Sequence, residues 1–118
     1  MKIVLEGERP WSWNKLYAGA HWTKRAEEAD RVHDLVDWTI REMHTYKMFV
    51  NTRVDIQVTA YFKNRPLDPD NIVSKMYIDS LKGYIIEDDT REFVRKVTTQ
   101  SEVDKEFPRV EIIVEGCE

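Results

Sequence analysis

The segment from Arg53 to Lys63 alternates between apolar and polar residues, and this pattern constrains the fold more than any other part of the chain. Its apolar positions are Val54, Ile56, Val58 and Ala60, and its polar positions are Asp55, Gln57 and Thr59. Successive side chains of a strand point to opposite faces, so the pattern predicts a strand with one buried face. Such a face requires neighbouring strands and a second layer packed against it.

The other elements are predicted from periodicity and from signals at their ends. Residues from about Trp22 to Met43 carry apolar side chains at steps of three and four, which predicts a long helix. The residues of that stripe are Ala26, Ala29, Val32, Val36 and Ile40. A second helix is predicted from about Pro69 to Lys82, ended by Gly83. The remaining predicted strands are Met1–Leu5, a short one at Tyr84–Ile86, Thr90–Gln100 and Arg109–Glu115.

This order of elements predicts one small α+β domain over residues 1–118, with a mixed β-sheet of about four strands and two helices packed on one face. The hydrophobic content of 42% argues against disorder. No apolar run is long enough to span a membrane, and the charged N-terminus is unlike a signal peptide. The lone Cys117 excludes a disulfide framework. We therefore expect a cytoplasmic protein with no membrane partner.

The net charge of −4 at first argues against a nucleic-acid partner. The chain has 22 acidic and 18 basic residues. Setting aside the four aspartates Asp68, Asp70, Asp88 and Asp89 leaves 18 acidic residues against those 18 basic ones. A neutral body then surrounds one anionic site, and bound cations would make that site attractive to a phosphate. The charge is therefore compatible with DNA binding.

Those four aspartates form two acidic pairs on either side of the second predicted helix. Asp68 and Asp70 lie two residues apart in extended backbone before the helix, so their side chains can face one point. If folding also brings Asp88 and Asp89 to that point, the like charges oppose ionisation unless a hard divalent cation binds them. Such a cation can activate water against a phosphodiester. The acidic pairs therefore predict metal-dependent phosphodiester cleavage.

Each of these signals also has a purely structural interpretation. Asp68 before Pro69 is a standard helix start, with Asp68 as the N-cap and Asp70 favourable to the helix dipole, and for this segment alone we prefer that interpretation. Asp88 and Asp89 alone would be an acidic, solvated turn. Lys75 and Asp79 are spaced as a surface ion pair of one helical turn.

The order and spacing of these residues resemble the RusA family of Holliday junction resolvases. The resemblance is carried by Asp68-Pro69-Asp70-Asn71-Ile72, then Lys75, Asp79-Ser80-Leu81, Gly83, Ile85 and Asp88-Asp89, and by the opening Pro10-Trp11-Ser12-Trp13-Asn14-Lys15-Leu16-Tyr17. Lys75 falls four residues after Asn71, where the commonest form of the motif has three. The resemblance implies a homodimer that uses Mg²⁺ or Mn²⁺ to place paired symmetric nicks in a four-way DNA junction.

The resemblance also implies roles for individual residues. Asp68, Asp70 and Asp89 would be the essential, metal-binding carboxylates, Asp88 would be their metal-binding neighbour, and Lys75 would face the phosphate. Candidate DNA-binding cations are Lys15, Arg25, Lys63, Arg65, Arg91 and Arg95. No histidine is required as a base, because metal-bound water can serve as the nucleophile. The histidines His21, His33 and His44 are expected on the helix surface or the edge of the core.

The sequence allows more than one role for the aromatic residues near the start of the long helix, and more than one function for the chain. The aromatic residues Trp11, Trp13, Tyr17 and Trp22 could stack on unpaired bases. We prefer the interpretation that they pack a core or a dimer interface. The rival functions are a nuclease for other branched DNA, a catalytically silent DNA-binding protein of the same fold, and an unrelated scaffold whose acids are caps and turns.

Overall fold

Four strands form one mixed sheet in the computed structural model, which describes residues 1–19, 21–44 and 46–117. They are β1 (Lys2–Glu6), β2 (Val54–Phe62), β3 (Val94–Val103) and β4 (Arg109–Gly116), in the spatial order β1-β4-β2-β3. β4 is antiparallel to β1 and β2, whereas β2 and β3 are parallel. The predicted α+β fold with a mixed four-stranded sheet is confirmed.

The strand β2 has the buried face that its alternation predicts. Val54, Ile56, Val58 and Ala60 are all buried, while Asp55 and Gln57 are half-buried on the other face. Thr59 is buried as well. The core lies between this face and the helical layer, because the same cluster of buried residues includes side chains of the long helix.

The long helix α1 spans Trp22–Glu42, close to the predicted bounds. Val32, Val36 and Ile40 are buried as predicted, but Ala26 and Ala29 are exposed. The buried residue in that half of the helix is Glu28. The predicted stripe is therefore wrong in its first half, because this part of α1 covers an ionic cluster and not the apolar core.

That cluster consists of Glu8, Glu28, Arg31 and Tyr77, and we call it the Glu8 cluster. Arg31 donates two hydrogen bonds of 2.9 Å to the Glu8 carboxylate and two, of 2.7 and 2.9 Å, to that of Glu28. The Tyr77 hydroxyl donates a 2.7 Å hydrogen bond to Glu8. Both glutamates are at most 7% exposed, so their charges need these donors. The cluster joins the segment after β1 to both helices.

The predicted helix from Pro69 to Lys82 is wrong as a continuous element. The structure has a tight 3₁₀ turn at Pro69–Asn71 and a separate helix α2 at Lys75–Asp79. Between them Ile72 is extended, with φ −85° and ψ 124°, and pairs with Ser12, while the Val73 N–H donates to the carbonyl of Trp11. The backbone of this β-branched pair thus takes partners from the N-terminal segment, which a helix would not allow.

The region after α2 is a series of turns. Gly83 has the left-handed φ of +81° that the sequence predicts, but it lies in a turn closed by its N–H to the carbonyl of Ile86 and not at the end of the helix. The predicted strand at Tyr84–Ile86 is wrong, since Ile86 makes only isolated bridges with Phe49 and Lys82. Among the described residues, no helix has the length and apolarity needed to cross a bilayer.

Candidate active site

Two chain segments, Trp11–Tyr17 and Leu67–Val73, lie against each other and build the candidate site. The Asn71 side-chain oxygen accepts a 3.4 Å hydrogen bond from the Asn14 N–H, in addition to the Ser12–Ile72 pairing described above. Strand β3 holds the second segment from its other side. There the Thr99 hydroxyl donates 2.6 Å to the carbonyl of Pro69, and the Ser101 hydroxyl donates to that of Leu67. The acidic turn is therefore fixed to the sheet and to the N-terminal segment.

Asp68 and Asp70 line one open pocket together with Trp13, Asn14 and Asn71. Asp68 occupies the N-cap position of the 3₁₀ turn, with φ −66° and ψ 150°, but its side chain makes no capping hydrogen bond. Within the described residues neither carboxylate has a hydrogen bond or an ion pair. The capping interpretation of Asp68 is therefore not realised, and both carboxylates are available to a ligand.

This pair of carboxylates fits a magnesium ion. Mg²⁺ keeps several waters and is commonly held by one or two carboxylates together with the phosphate of a substrate. Asp68 and Asp70 supply two such carboxylates, and both are exposed at one open pocket. The Asn71 oxygen is occupied by the Asn14 N–H, so it supports the turn.

The second acidic pair has partners of its own. Asp88 accepts a 2.8 Å hydrogen bond from the Asp89 N–H through its side-chain oxygen, and the Asp89 carboxylate lies 3.7 Å from the Lys82 ammonium. Across residues 1–19, 21–44 and 46–117, no three Asp, Glu, His or Cys side chains are grouped so that they could hold a metal ion. The structure thus brings Asp68 and Asp70 together but does not join Asp89 to them in such a group.

Lys75, the predicted phosphate-facing cation, is exposed on α2. Its ammonium lies 3.3 Å from the Asp79 carboxylate, as the surface-pair interpretation expects for this spacing. The pair is solvent-exposed, with 66% of the Lys75 side chain accessible, so its contribution to stability is small. A role for Lys75 in catalysis stays a prediction.

The six candidate DNA-binding cations have different surroundings. The Lys15 ammonium lies 4.3 Å from the centre of the Trp11 ring, and Lys15 lines a different pocket from Asp68 and Asp70. Lys63 and Arg65 are exposed in the loop that leads to Asp68. Arg25 is exposed on α1, and Arg91 is exposed just before β3.

Among the described residues, Arg95 is the one of the six that has an ionic partner. It donates two hydrogen bonds to the Asp55 carboxylate, and these hold the pKa of Asp55 down to about 2. The Arg95 guanidinium is therefore already bound to a carboxylate of the protein, and DNA would have to compete with Asp55 for it. The DNA-binding roles of all six stay predictions.

The four aromatic residues from Trp11 to Trp22 lie outside the buried core of the described part of the chain. Tyr17 is 74% exposed and Trp22 is 65% exposed, so these two do not pack in the core. Packing at a dimer interface stays a prediction for them. Trp11 and Trp13 are half-buried. The physical reason is that the segment lies over the acidic turn at the surface and not between the sheet and the helices. His21, His33 and His44 are exposed and do not line the pocket.

Three residues of the pocket, Trp13, Asn14 and Asn71, were not among the predicted catalytic, metal-binding or DNA-binding residues. Their sequence signals are the Ser-x-Asn opening before the long helix for Asn14, the possible stacking of Trp13 on a base, and the position of Asn71 directly after Asp70. The place of the N-terminal segment in the pocket depends on a hydrogen bond from the Asn14 N–H to the Asn71 side-chain oxygen, 57 residues away. Local patterns do not contain that information.

Comparison with known proteins gives one finding about this site. A family model described as endodeoxyribonuclease RusA matches residues 15–115, which covers most of the chain. The matched range includes Asp68, Asp70, Lys75, Asp88 and Asp89. Searches of curated proteins and of solved structures found no match.

Proposed function

The chain belongs to the RusA family of endodeoxyribonucleases, and from that premise we propose that it is a Mg²⁺-dependent enzyme that resolves four-way DNA junctions by paired symmetric nicks. Mn²⁺ would substitute for Mg²⁺. The observation that carries the proposal is the pair of unpartnered carboxylates, Asp68 and Asp70, at one open pocket inside the region matched by the family model.

Asp68 and Asp70 would hold the cation, with Asp89 as the third carboxylate and Asp88 beside it. When bound, a divalent cation lowers the pKa of a coordinated water and offsets the negative charge of the scissile phosphate. Hydrolysis breaks the bond between phosphorus and the 3′ oxygen, which leaves a 5′-phosphate and a 3′-hydroxyl that a ligase can join.

The chain's own residues position the DNA and the carboxylates. The contacts from Asn14 to Asn71 and from Thr99 to Pro69 hold the acidic turn rigid. A rigid turn keeps the two carboxylates in place before substrate arrives, which lowers the cost of ordering the site. Lys15, in the N-terminal segment of the site, would contact a phosphate. Lys75 would have to exchange Asp79 for the phosphate it is proposed to face.

Paired nicks also require two active sites. The described residues of one chain hold one pocket with two aspartates that lack partners. A homodimer with a two-fold axis would place two such pockets on the two symmetric strands of a junction. The proposal therefore includes a homodimer acting on branched DNA in the cytoplasm of a bacterium or of a phage-infected cell.

The test is cleavage of a synthetic four-way junction and of a linear duplex with the same sequence, each with Mg²⁺ and with EDTA. We expect paired nicks in the junction only, dependent on Mg²⁺ and abolished in Asp70→Asn. Asp34→Asn is the matched control, because Asp34 is an exposed aspartate of α1. Equal cleavage by Asp70→Asn and the wild type would overturn the assignment of the site. Cleavage of flaps or forks but not of junctions would favour the rival substrate.

A further inference from the structure

The rings of Trp13 and Tyr17 stack on each other at the surface. Their centroids are 5.4 Å apart and their planes differ by 11°. The two residues are one helical turn apart, at the start of a short helical segment that continues through Lys15–Gly19, so their side chains lie on the same side. Tyr17 is the outer ring, with 74% of the residue exposed. We call this pair the aromatic ledge.

The ledge adjoins the acidic pocket. Trp13 lines that pocket together with Asp68 and Asp70. Two hydrogen bonds fix the backbone beneath the ledge. The Ser12 hydroxyl accepts a 3.0 Å hydrogen bond from the Lys15 N–H, and the Asn14 N–H donates to the side-chain oxygen of Asn71. The distance between the ledge and the carboxylates is therefore set by the fold.

We infer that the aromatic ledge binds an unpaired DNA base next to the phosphate that is cut. The inference rests on the proposed function. Only a base outside a duplex can present its full face to a protein ring, and such a stack is worth about 1–3 kcal/mol with little dependence on the base. The Lys15 ammonium, over the neighbouring Trp11 ring, supplies the positive charge that the backbone of the same nucleotide requires.

The chemistry of the surroundings favours a nucleic acid over an apolar protein surface. The ledge adjoins the carboxylates of Asp68 and Asp70 through Trp13, and the ammonium of Lys15 lies over the Trp11 ring of the same segment. An apolar partner would have to remove these charges from water, which is costly. A nucleotide leaves its phosphate in contact with the cation while its base covers the ring. The ledge would thus select DNA with unpaired bases at the point of branching.

The test is metal-free binding, measured by fluorescence anisotropy in EDTA, so that no DNA is cut. The probes are a duplex with a short unpaired gap and the same duplex fully paired. Tyr17→Leu removes the outer ring, Tyr17→Phe keeps it, and Tyr46→Leu is the control because Tyr46 is exposed and does not line the pocket. We expect Tyr17→Leu to weaken binding of the gapped DNA by about 5- to 150-fold, which corresponds to the loss of one stack. Tyr17→Phe and Tyr46→Leu should stay within about twofold of the wild type, since a stack contributes through its ring.

The outcomes separate this inference from the proposed function. Equal affinity of Tyr17→Leu and the wild type for the gapped DNA would overturn the inference, as would an equal loss on the fully paired duplex. Either result leaves the dependence of cleavage on Mg²⁺ and Asp70 untouched. Conversely, a wild type that binds gapped DNA through Tyr17 but cuts no DNA would support the ledge and overturn the proposed enzyme. If Tyr17→Leu instead abolishes self-association, the ledge is an interface between two copies and the inference is wrong.

Discussion

The ammonium of Lys82 lies 3.7 Å from the carboxylate of Asp89. Asp89 is the third carboxylate of the proposed metal site, whereas Asp68 and Asp70 have no such cation within the described residues. The three aspartates are therefore not equivalent before metal binds. For Asp89 to bind the same ion as Asp68 and Asp70, the divalent ion must compete with the Lys82 ammonium for the Asp89 carboxylate. This competition can be measured.

Replacing Lys82 should increase the apparent affinity for Mg²⁺. The ion pair is partly exposed, with 41% of the Lys82 side chain and 26% of the Asp89 side chain accessible, so it is worth about 0.2–1 kcal/mol. We expect Lys82→Met to lower the Mg²⁺ concentration for half-maximal cleavage by about 1.5- to 5-fold. Lys24→Met, which breaks an exposed pair with Glu27 on α1, is the control. An unchanged Mg²⁺ requirement in Lys82→Met would show that Asp89 does not bind the metal.

Removing the Asp68 carboxylate should abolish cleavage at little cost in stability. A capping aspartate is worth about 1 kcal/mol, but this side chain makes no capping hydrogen bond. We expect Asp68→Ala to change the free energy of unfolding by less than about 0.5 kcal/mol. Ser12→Ala is the contrasting variant, because the Ser12 hydroxyl accepts the Lys15 N–H, and it should lose about 1 kcal/mol. Urea denaturation measures both, and equal losses would restore the capping role.

The parts of the fold predicted correctly are those whose pattern of apolar and polar residues lies within one continuous segment. The β2 strand shows its buried face by alternation, and the C-terminal half of α1 shows its buried face by period. The prediction of a continuous helix from Pro69 to Lys82 was wrong: the Asp68 side chain does not cap a helix, and Gly83 lies in a turn beyond the end of α2. The extended backbone at Ile72 is decided by its pairing with Ser12, and no local pattern reports a partner so distant.

In the candidate site, too, local spacing was predicted correctly, whereas contacts between distant residues were not. The spacing of Asp68 and Asp70 predicted that they face one point, and the structure places both at one pocket. Trp13 reaches that pocket only because its segment pairs with the acidic turn. Charge usually marks the exposed face of a helix, but Glu28 is buried. It can be buried because Arg31, one turn later, binds both Glu28 and Glu8 of the segment after β1.

The Glu8 cluster should be a main source of stability for the layer beneath the site. In Arg31→Met, the carboxylates of Glu8 and Glu28, only 4% and 7% exposed, would lose their cation. We expect a loss of about 2–3 kcal/mol, below the 3–5 kcal/mol of a fully buried pair because 48% of the Arg31 side chain is exposed. Arg41→Met on the same helix breaks a pair with Asp37 in which 69% of the Arg41 side chain is exposed, and it should cost about 1 kcal/mol or less. Thermal denaturation at neutral pH distinguishes the two, and similar losses would contradict the role given to the cluster.

Tyr77, whose hydroxyl donates a hydrogen bond to Glu8, should make the free energy of unfolding depend on pH above pH 10. Burial, together with the nearby Glu8 charge, raises the pKa of Tyr77 well above its ordinary value of 10.0. The stabilisation from the protonated hydroxyl is fully present below pH 10. It is lost as the pH rises further, because the unfolded chain then releases a proton that the folded chain retains.

The variant Tyr77→Phe removes both the hydrogen bond to Glu8 and the pH dependence of stability that the hydroxyl causes. At neutral pH it loses a hydrogen bond to a charged acceptor, which costs about 1.5–3 kcal/mol. Above pH 10 the wild type loses up to about 1.4 kcal/mol per pH unit that the variant does not lose, so the difference in free energy of unfolding should shrink. Urea denaturation at pH 8 and at about pH 11 measures this change, with Tyr46→Phe, at an exposed site, as the control. A difference that stays constant with pH would show that Tyr77 ionises in the folded protein as readily as in the unfolded chain.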